Sequence, residues 1–397
     1  MTLNSVQLFA PYRTDPLFLL IGTNPLPNYV AACLLAPENG TIYLLHSEDT
    51  FEVADRLARR LSRVRPSATL IPRQIDESDG DKIIAKIEEM TAKLGRGMRI
   101  GLNYSGGTKA MAVHAYYALR KAFPDGCFSY LDPRKLAMVI DPGDKPVQTL
   151  PVSREVEVKL ADLLQMHGYK FAEFRRQPRW PDLCAAIAEV FTAPESRAQW
   201  LGWLRTWRAQ PPAPTLPDLA VYRDLEPVIH ALSGLCGGML SEAAVAQAMG
   251  FSAFSSCQEF FEGKWLEEYA LAQLVKVAAD VGVHDYGVGI NIRRKDKRRF
   301  ELDLLAMMGY QLYAISCMAT AERDPAEYHL HEVFVRARQV GGDEARFALI
   351  CAYDRPKALE QEVSEDWDAE KKIKVFGQDD LLSLPDKLRR WFETANP

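Results

Sequence analysis

A strand, a glycine turn and a helix follow one another without a gap over residues 98–119, and this succession restricts the architecture more than any other stretch. Met98-Arg99-Ile100-Gly101-Leu102 is a run of the kind buried as a strand, and the residues from Ala110 to Leu119 have the composition of a helix. Between them lies Asn103-Tyr104-Ser105-Gly106-Gly107-Thr108-Lys109. Small residues at a helix start leave backbone N–H groups open to an anion, glycines let a phosphate approach, and Lys109 adds a mobile cation. The spacing is neither of the familiar phosphate loops, because Thr108 precedes Lys109 and no G-x-G-x-x-G forms. As chemistry alone, the turn serves an anion or tight packing.

The flanking sequence repeats this alternation. Leu17 to Gly22 reads as a strand, followed by a turn-rich loop, a helix over 30–35, a strand over 42–46 and helices over 50–62 and 79–94. Short strands near 127–131 and 136–140 close the unit. The pattern predicts an α/β fold, a Rossmann-like parallel sheet covered by helices, with ligands beyond the carboxyl ends of the strands. The loops after Gly22, His46 and Leu102 share that edge. They offer Thr23 and Asn24, then Ser47, then Asn103, Ser105, Gly106, Gly107, Thr108 and Lys109 as ligand contacts.

Over 151–255 helical patterns dominate, broken by the proline-rich stretch 211–217. From 256 a helix over 260–278 precedes strands at 284–293, 300–307 and 311–318, a helix at 325–340, a strand at 346–352 and a helix at 379–394. That is the element order of a restriction-endonuclease-like α/β core. The expected division is a ligand-sensing domain over 1–150, a helical connector over 151–255 and a nuclease-like domain over 256–397.

The chain has 397 residues, enough for two or three domains, and no apolar run long enough to span a membrane. Its seven cysteines lack paired spacing and its first residues lack a leader pattern, so a reducing cytoplasm is the expected setting. The formal net charge of −5 does not exclude nucleic acid, because local stripes do the binding. One such stripe is Arg293, Arg294, Lys295, Lys297, Arg298 and Arg299, a backbone-tracking surface or a solvated hairpin tip.

Metal-dependent nucleases cluster carboxylates around Mg²⁺ or Mn²⁺, which activates water and neutralises developing charge. Glu267 lies in W-L-E-E-Y on the predicted helix, and Asp303 lies among apolar neighbours on the second strand. An unpaired buried carboxylate is costly, which favours a site role for Asp303. Glu267 and Glu268 also suit an exposed helix face.

The run N-Y-S-G-G-T-K-x-M resembles the signature of CARF domains, CRISPR-associated Rossmann folds that bind cyclic oligoadenylates. G-K-W-L-E, E-L-D, I-S-C and R-A-R-Q-V-G-G resemble the PD-(D/E)xK domain of CARF effector nucleases. The resemblance implies a homodimeric type III CRISPR ancillary effector. A cyclic oligoadenylate, with tetra-adenylate favoured, would switch on metal-dependent cleavage of single-stranded DNA or RNA. It implies Glu267 and Asp303 as metal ligands, and puts Ser316 and Met318 where the family has E-x-K. Serine is a poor Mg²⁺ ligand and methionine carries neither proton nor charge. Glu268, Glu301 or Glu332 then stands in for the carboxylate, and Arg336, Arg338 or Lys264 for the cation. The alternative is a sensor whose degenerate nuclease core only binds nucleic acid or a partner, and a third reading is a ring nuclease acting on the messenger alone.

Overall fold

The protein is seen here as a computed structural model describing residues 7–95, 97–143, 145–209, 223–238, 240–252, 254–293, 299–367, 369 and 371–395. The first domain alternates β1 (Leu17–Leu20), α1 (Leu26–Leu35), β2 (Thr41–His46), α2 (Phe51–Val64), β3 (Thr69–Gln74), α3 (Gly80–Thr91), β4 (Gly101–Asn103), α4 (Lys109–Ala122), β5 (Cys127–Asp132), β6 (Ala137–Asp141) and β7 (Gln148–Pro151). The sheet order is β3-β2-β1-β4-β5-β6-β7, with β1 to β5 parallel and β6 and β7 antiparallel. All four residues of β1 are buried, as in a strand covered on both faces. Leu17 and Leu19 pack toward α1 and α2, whereas Phe18 and Leu20 pack toward α3 and α4. Asp79 caps α3 by accepting from the Asp81 and Lys82 backbone N–H groups, and Thr108 caps α4 through Met111. Strand β3 escapes sequence reading because it is a polar edge strand containing Pro72.

Next come α5 (Leu160–Met166), β8 (Lys170–Phe171), α6 (Pro181–Thr192), α7 (Pro194–Ala209), α8 (Glu226–Leu235), α9 (Glu242–Ala248) and α10 (Phe254–Glu259). Trp200, Trp203, Phe261 and Trp265 form the aromatic centre that holds these helices together. The C-terminal domain runs α11 (Trp265–Val281), β9 (Val283–Arg293), β10 (Arg299–Met308), β11 (Gln311–Cys317), α12 (Arg323–Gly341), β12 (Arg346–Ile350), α13 (Pro356–Asp366), β13 (Ile373–Phe376) and α14 (Leu384–Ala395). Helix, three strands, helix, strand is the expected order, with α13 and β13 added.

This second sheet is ordered β13-β12-β11-β10-β9-β8. Its last strand, Lys170–Phe171, comes from the segment expected to be a helical connector and pairs with β9, Lys170 against Arg293. Helix α11 covers one face, on Leu304, Ala306, Met308, Tyr313 and Ile315, and α12 covers the other, on Leu305, Met307, Leu312 and Ala314. The α12 face shares one continuous core with β1, α1 and α2 of the first domain, through α5. Arg60 pairs with Asp162 at 2.7 Å, and Arg56 Nε donates to the Met166 carbonyl at 3.0 Å, so α2 and α5 are joined by charge as well as packing. Among the described residues no helix is long and apolar enough to cross a membrane.

Candidate functional site

The parallel strands β1 and β4 lie side by side, so their carboxyl ends bring Gly22, Thr23 and Asn24 against Ser105, Gly106 and Gly107. The resulting concavity, about 230 Å³, is also lined by Pro27, Leu131, Pro133 and, from beyond α12, Asp343 and Glu344. Gly106 is required by packing: a Cβ there would collide with the Leu20 carbonyl oxygen. Gly107 has φ +77°. The turn thus serves both readings, with Gly106 seating it on β1 and the rest facing the cavity. Ser105 Oγ accepts from Leu131 N at 2.7 Å, which ties the turn to β5.

Four expected contacts do not line this concavity. Ser47 is buried and exchanges hydrogen bonds with Thr50 at the start of α2, Ser47 N donating to Thr50 Oγ1 at 2.9 Å. Asn103 is fully buried; its Nδ2 donates to Ser129 Oγ at 3.1 Å and its Oδ1 accepts from Ser105 N. Thr108 is an exposed helix cap whose hydroxyl donates to the Glu77 carbonyl. Lys109 stands exposed on the first turn of α4, outside the cavity lining. Sequence reading missed Asn28, whose Nδ2 donates to the Leu20 carbonyl at 2.9 Å beneath Gly106, and Glu344, which lies more than 200 residues along the chain from either loop it meets. Burial, reinforced by the Asp343 charge, pushes the Glu344 carboxyl up to about 7.

The second site sits on β10. Phe300 and Leu302 pack with the core on the α12 side, whereas Leu304, Ala306 and Met308 pack with the α11 side. The alternation therefore reverses around Asp303, where β9 carries Gly289 at φ +68° between Val288 and Ile290. Asp303 Oδ2 accepts from Ser316 Oγ at 3.0 Å and from Cys317 N at 2.7 Å. Burial raises its carboxyl, those two bonds pull it down, Glu301 raises it and His329 lowers it. Glu267, on the first turn of α11, is pushed up to about 8 by burial first, then by the charges of Asp303 and Glu301. The structure thus brings Glu267, Asp303 and Ser316 together.

Glu268 has another task. It is 2% exposed and is held by both guanidinium nitrogens of Arg175, by Arg179 N at 2.9 Å and by Arg179 Nε at 3.3 Å. It locks α11 to the segment after β8. Met318 packs against the α12-side core and offers no charge. Burial and the neighbouring Asp303 and Glu267 push the Cys317 thiol up, away from a thiolate nucleophile. His331 meets the Trp367 ring edge-on, with centroids 5.2 Å apart. Of the basic stripe, Arg293 and Arg299 face each other at the ends of β9 and β10, joined by Lys170 across β8. Arg294, Lys295, Lys297 and Arg298 lie outside the described residues.

Among the described residues no three His, Cys, Asp or Glu side chains form a ready-made metal cage. Mg²⁺ asks for less: it keeps waters and takes one or two carboxylates plus substrate phosphate. Two half-buried carboxylates, with the Asp303 charge raising Glu267 and Glu301 raising both, favour a nearby cation, so the donor set fits such an ion.

Residues 255–395 match the family model described as Card1-like, endonuclease domain. Across nearly the whole chain the fold is that of protein VC1899 from Vibrio cholerae, at 19% identity and TM-score 0.73, covering 96% of this chain and 98% of that one. It is also that of Can2 from Sulfobacillus thermosulfidooxidans, solved in complex with cyclic tetra-adenylate, at 19% identity and TM-score 0.69, covering 96% and 100%. A comparison with curated protein sequences finds no match.

Proposed function

We propose that this chain is a type III CRISPR ancillary effector, a nuclease switched on by a cyclic oligoadenylate, with tetra-adenylate favoured. The observation that carries the reading is the half-buried pair Glu267 and Asp303, brought within electrostatic reach of each other inside the segment that matches an endonuclease domain. In this reading residues 1–150 sense the messenger, 151–255 connect, and 256–397 cut single-stranded DNA or RNA. Glu267 and Asp303 hold Mg²⁺ or Mn²⁺, which supplies Lewis-acid activation of water. Ser316 and the Cys317 N–H aim Asp303 and favour its charged form against the burial that raises its carboxyl. Lys170, Arg293 and Arg299 offer phosphate contacts at the sheet edge.

The glycine-turn concavity, with the N-terminus of α4 beside it, is the messenger site. Its volume of about 230 Å³ lies below the range of ordinary small-molecule pockets, roughly 300–1,000 Å³. A ring of four nucleotides therefore needs two such half-sites, which a two-fold dimer supplies across its axis. Helix α4 presents a suitable face: Val113 is 63% and Tyr117 56% exposed beside an apolar hollow of about 570 Å³ lined also by Tyr104 and Tyr116. Such an effector works in the cytoplasm, where messenger and invading nucleic acid meet.

Ser316-Cys317-Met318 favours a second reading, a messenger-binding protein without cleavage. One assay separates the two: labelled single-stranded DNA and RNA with Mn²⁺, with and without cyclic tetra- or hexa-adenylate. Messenger-dependent cutting lost in Asp303→Ala supports the nuclease; tight messenger binding with no cutting under any metal leaves the sensor.

A further inference from the structure

Ser316 and Met318 leave two functions unfilled in the nuclease site, a third carboxylate and a cation. The two faces of the second sheet decide where these come from. Phe300 and Leu302 pack on the α12 side, so Glu301 between them points to the α11 side, where Glu267 sits. Lys264 is the residue from which α11 starts, and it precedes Glu267 by three positions, which places both on one helical face. Its ammonium feels Glu301 and Glu267 in addition to its present partner Glu259.

The other candidates are engaged or face the wrong way. Glu268 is bound to Arg175 and Arg179. Glu332 meets Arg336 at 4.0 Å, and the Arg336 guanidinium lies 4.4 Å over the Phe300 ring, on the α12 side. Arg338 is bound to Asp343 at 2.5 Å and lies over Phe334.

We propose that Glu301 supplies the third carboxylate and Lys264 the cation that the strand residues Ser316 and Met318 lack, both entering from the α11 side of the sheet. The inference rests on the nuclease reading. Lys264 Nζ now contacts Glu259 Oε2 at 3.0 Å, with side chains 57% and 61% exposed. An ion pair so exposed is weak, so the ammonium can transfer to a bound phosphate at little cost. Three surrounding carboxylates keep Lys264 charged, which makes it a fixed positive charge beside the scissile phosphate and leaves the base role to metal-activated water.

The test uses the full chain with Mn²⁺, cyclic tetra-adenylate and labelled single-stranded DNA and RNA. Glu301→Gln is expected to weaken calorimetric Mn²⁺ binding by about tenfold or more. Lys264→Met is expected to leave Mn²⁺ binding intact and lower kcat by about a hundredfold or more with little change in KM. Adding Ser316→Glu and Met318→Lys to Lys264→Met returns the charges to the strand and should restore cutting, whereas Arg336→Met should cut as the wild type does. The proposal is overturned if both single variants match the wild type, or if the Lys264→Met loss is not rescued. Those results leave the nuclease reading standing. A wild-type chain that binds no Mn²⁺ and cuts nothing removes both.

Discussion

Asp303 and Ser316 face each other across β10 and β11, the serine hydroxyl donating to Asp303 Oδ2 at 3.0 Å, with Cys317 N donating to the same oxygen. Where a third carboxylate is expected there is instead a donor that stabilises the charge on its neighbour. Asp303→Asn removes that charge and should cut cleavage on the order of a thousandfold, with tetra-adenylate affinity unchanged. Gel cleavage and calorimetry on the same preparation check both halves.

Adjacent glutamates should behave oppositely. Glu267 is penalised as an ion by its burial, so Glu267→Gln is expected to raise the urea midpoint near pH 8 while abolishing cleavage. Glu268→Gln loses charged hydrogen bonds to Arg175 and Arg179 and should lower stability by about 2 kcal/mol. If Glu268→Gln instead left stability unchanged and stopped cutting, the roles assigned to the two would be reversed.

The messenger loop separates packing from contact. Gly106→Ala drives a methyl into the Leu20 carbonyl and should lower both Tm and ligand affinity. Lys109→Ala, on an exposed helix turn, should leave Tm alone and weaken cyclic tetra-adenylate binding by about fivefold to tenfold, more at low salt. Unchanged binding would remove Lys109 from the site.

Glu344 gives the sensor cavity a pH signature. Its carboxyl titrates near 7 in the fold, above the ordinary glutamate value, so the folded state binds the proton more tightly than the unfolded one. Its contribution is full at acidic pH and is lost as pH rises through about 7, up to about 3 kcal/mol. Glu267 has the same sign, so Glu344→Gln should flatten, without erasing, the fall in stability between about pH 4.5 and pH 7. Messenger affinity should follow the same direction, because the ionised carboxylate repels phosphate. Denaturation and calorimetry at both pH values read the two slopes.

Val113→Asp puts a charge on the apolar face of α4 and is expected to convert a dimer to a monomer in sedimentation, with loss of messenger affinity. A wild-type monomer that still binds tetra-adenylate tightly would end the two-half-site account.

Much of this was legible because some residues answer to local rules. The 98–119 succession announced its strand, turn and cap, and the C-terminal order of helix and strands needed only apolar runs and turn residues. Strand β8 was invisible for the opposite reason: two residues, Lys170 and Phe171, have no pattern of their own and become a strand only by pairing with β9. Ser47 and Asn103 are candidate ligand contacts from their place at strand ends; the structure shows Ser47 hydrogen-bonded to Thr50 and Asn103 to Ser129.

By itself the sequence determined the two α/β units and the glycine turn, and it singled out Asp303 as a candidate, since period, turn chemistry and the cost of a lone carboxylate among apolar neighbours act over short distances. Only the tertiary structure decided that Glu268 is a brace, that Glu344 closes the cavity of a domain far away in sequence, and that Lys264 and Glu301 lie on the side of the sheet where Glu267 sits. Those choices depend on which face of a strand or helix is buried against what. That depends on long-range packing, which no window of sequence contains.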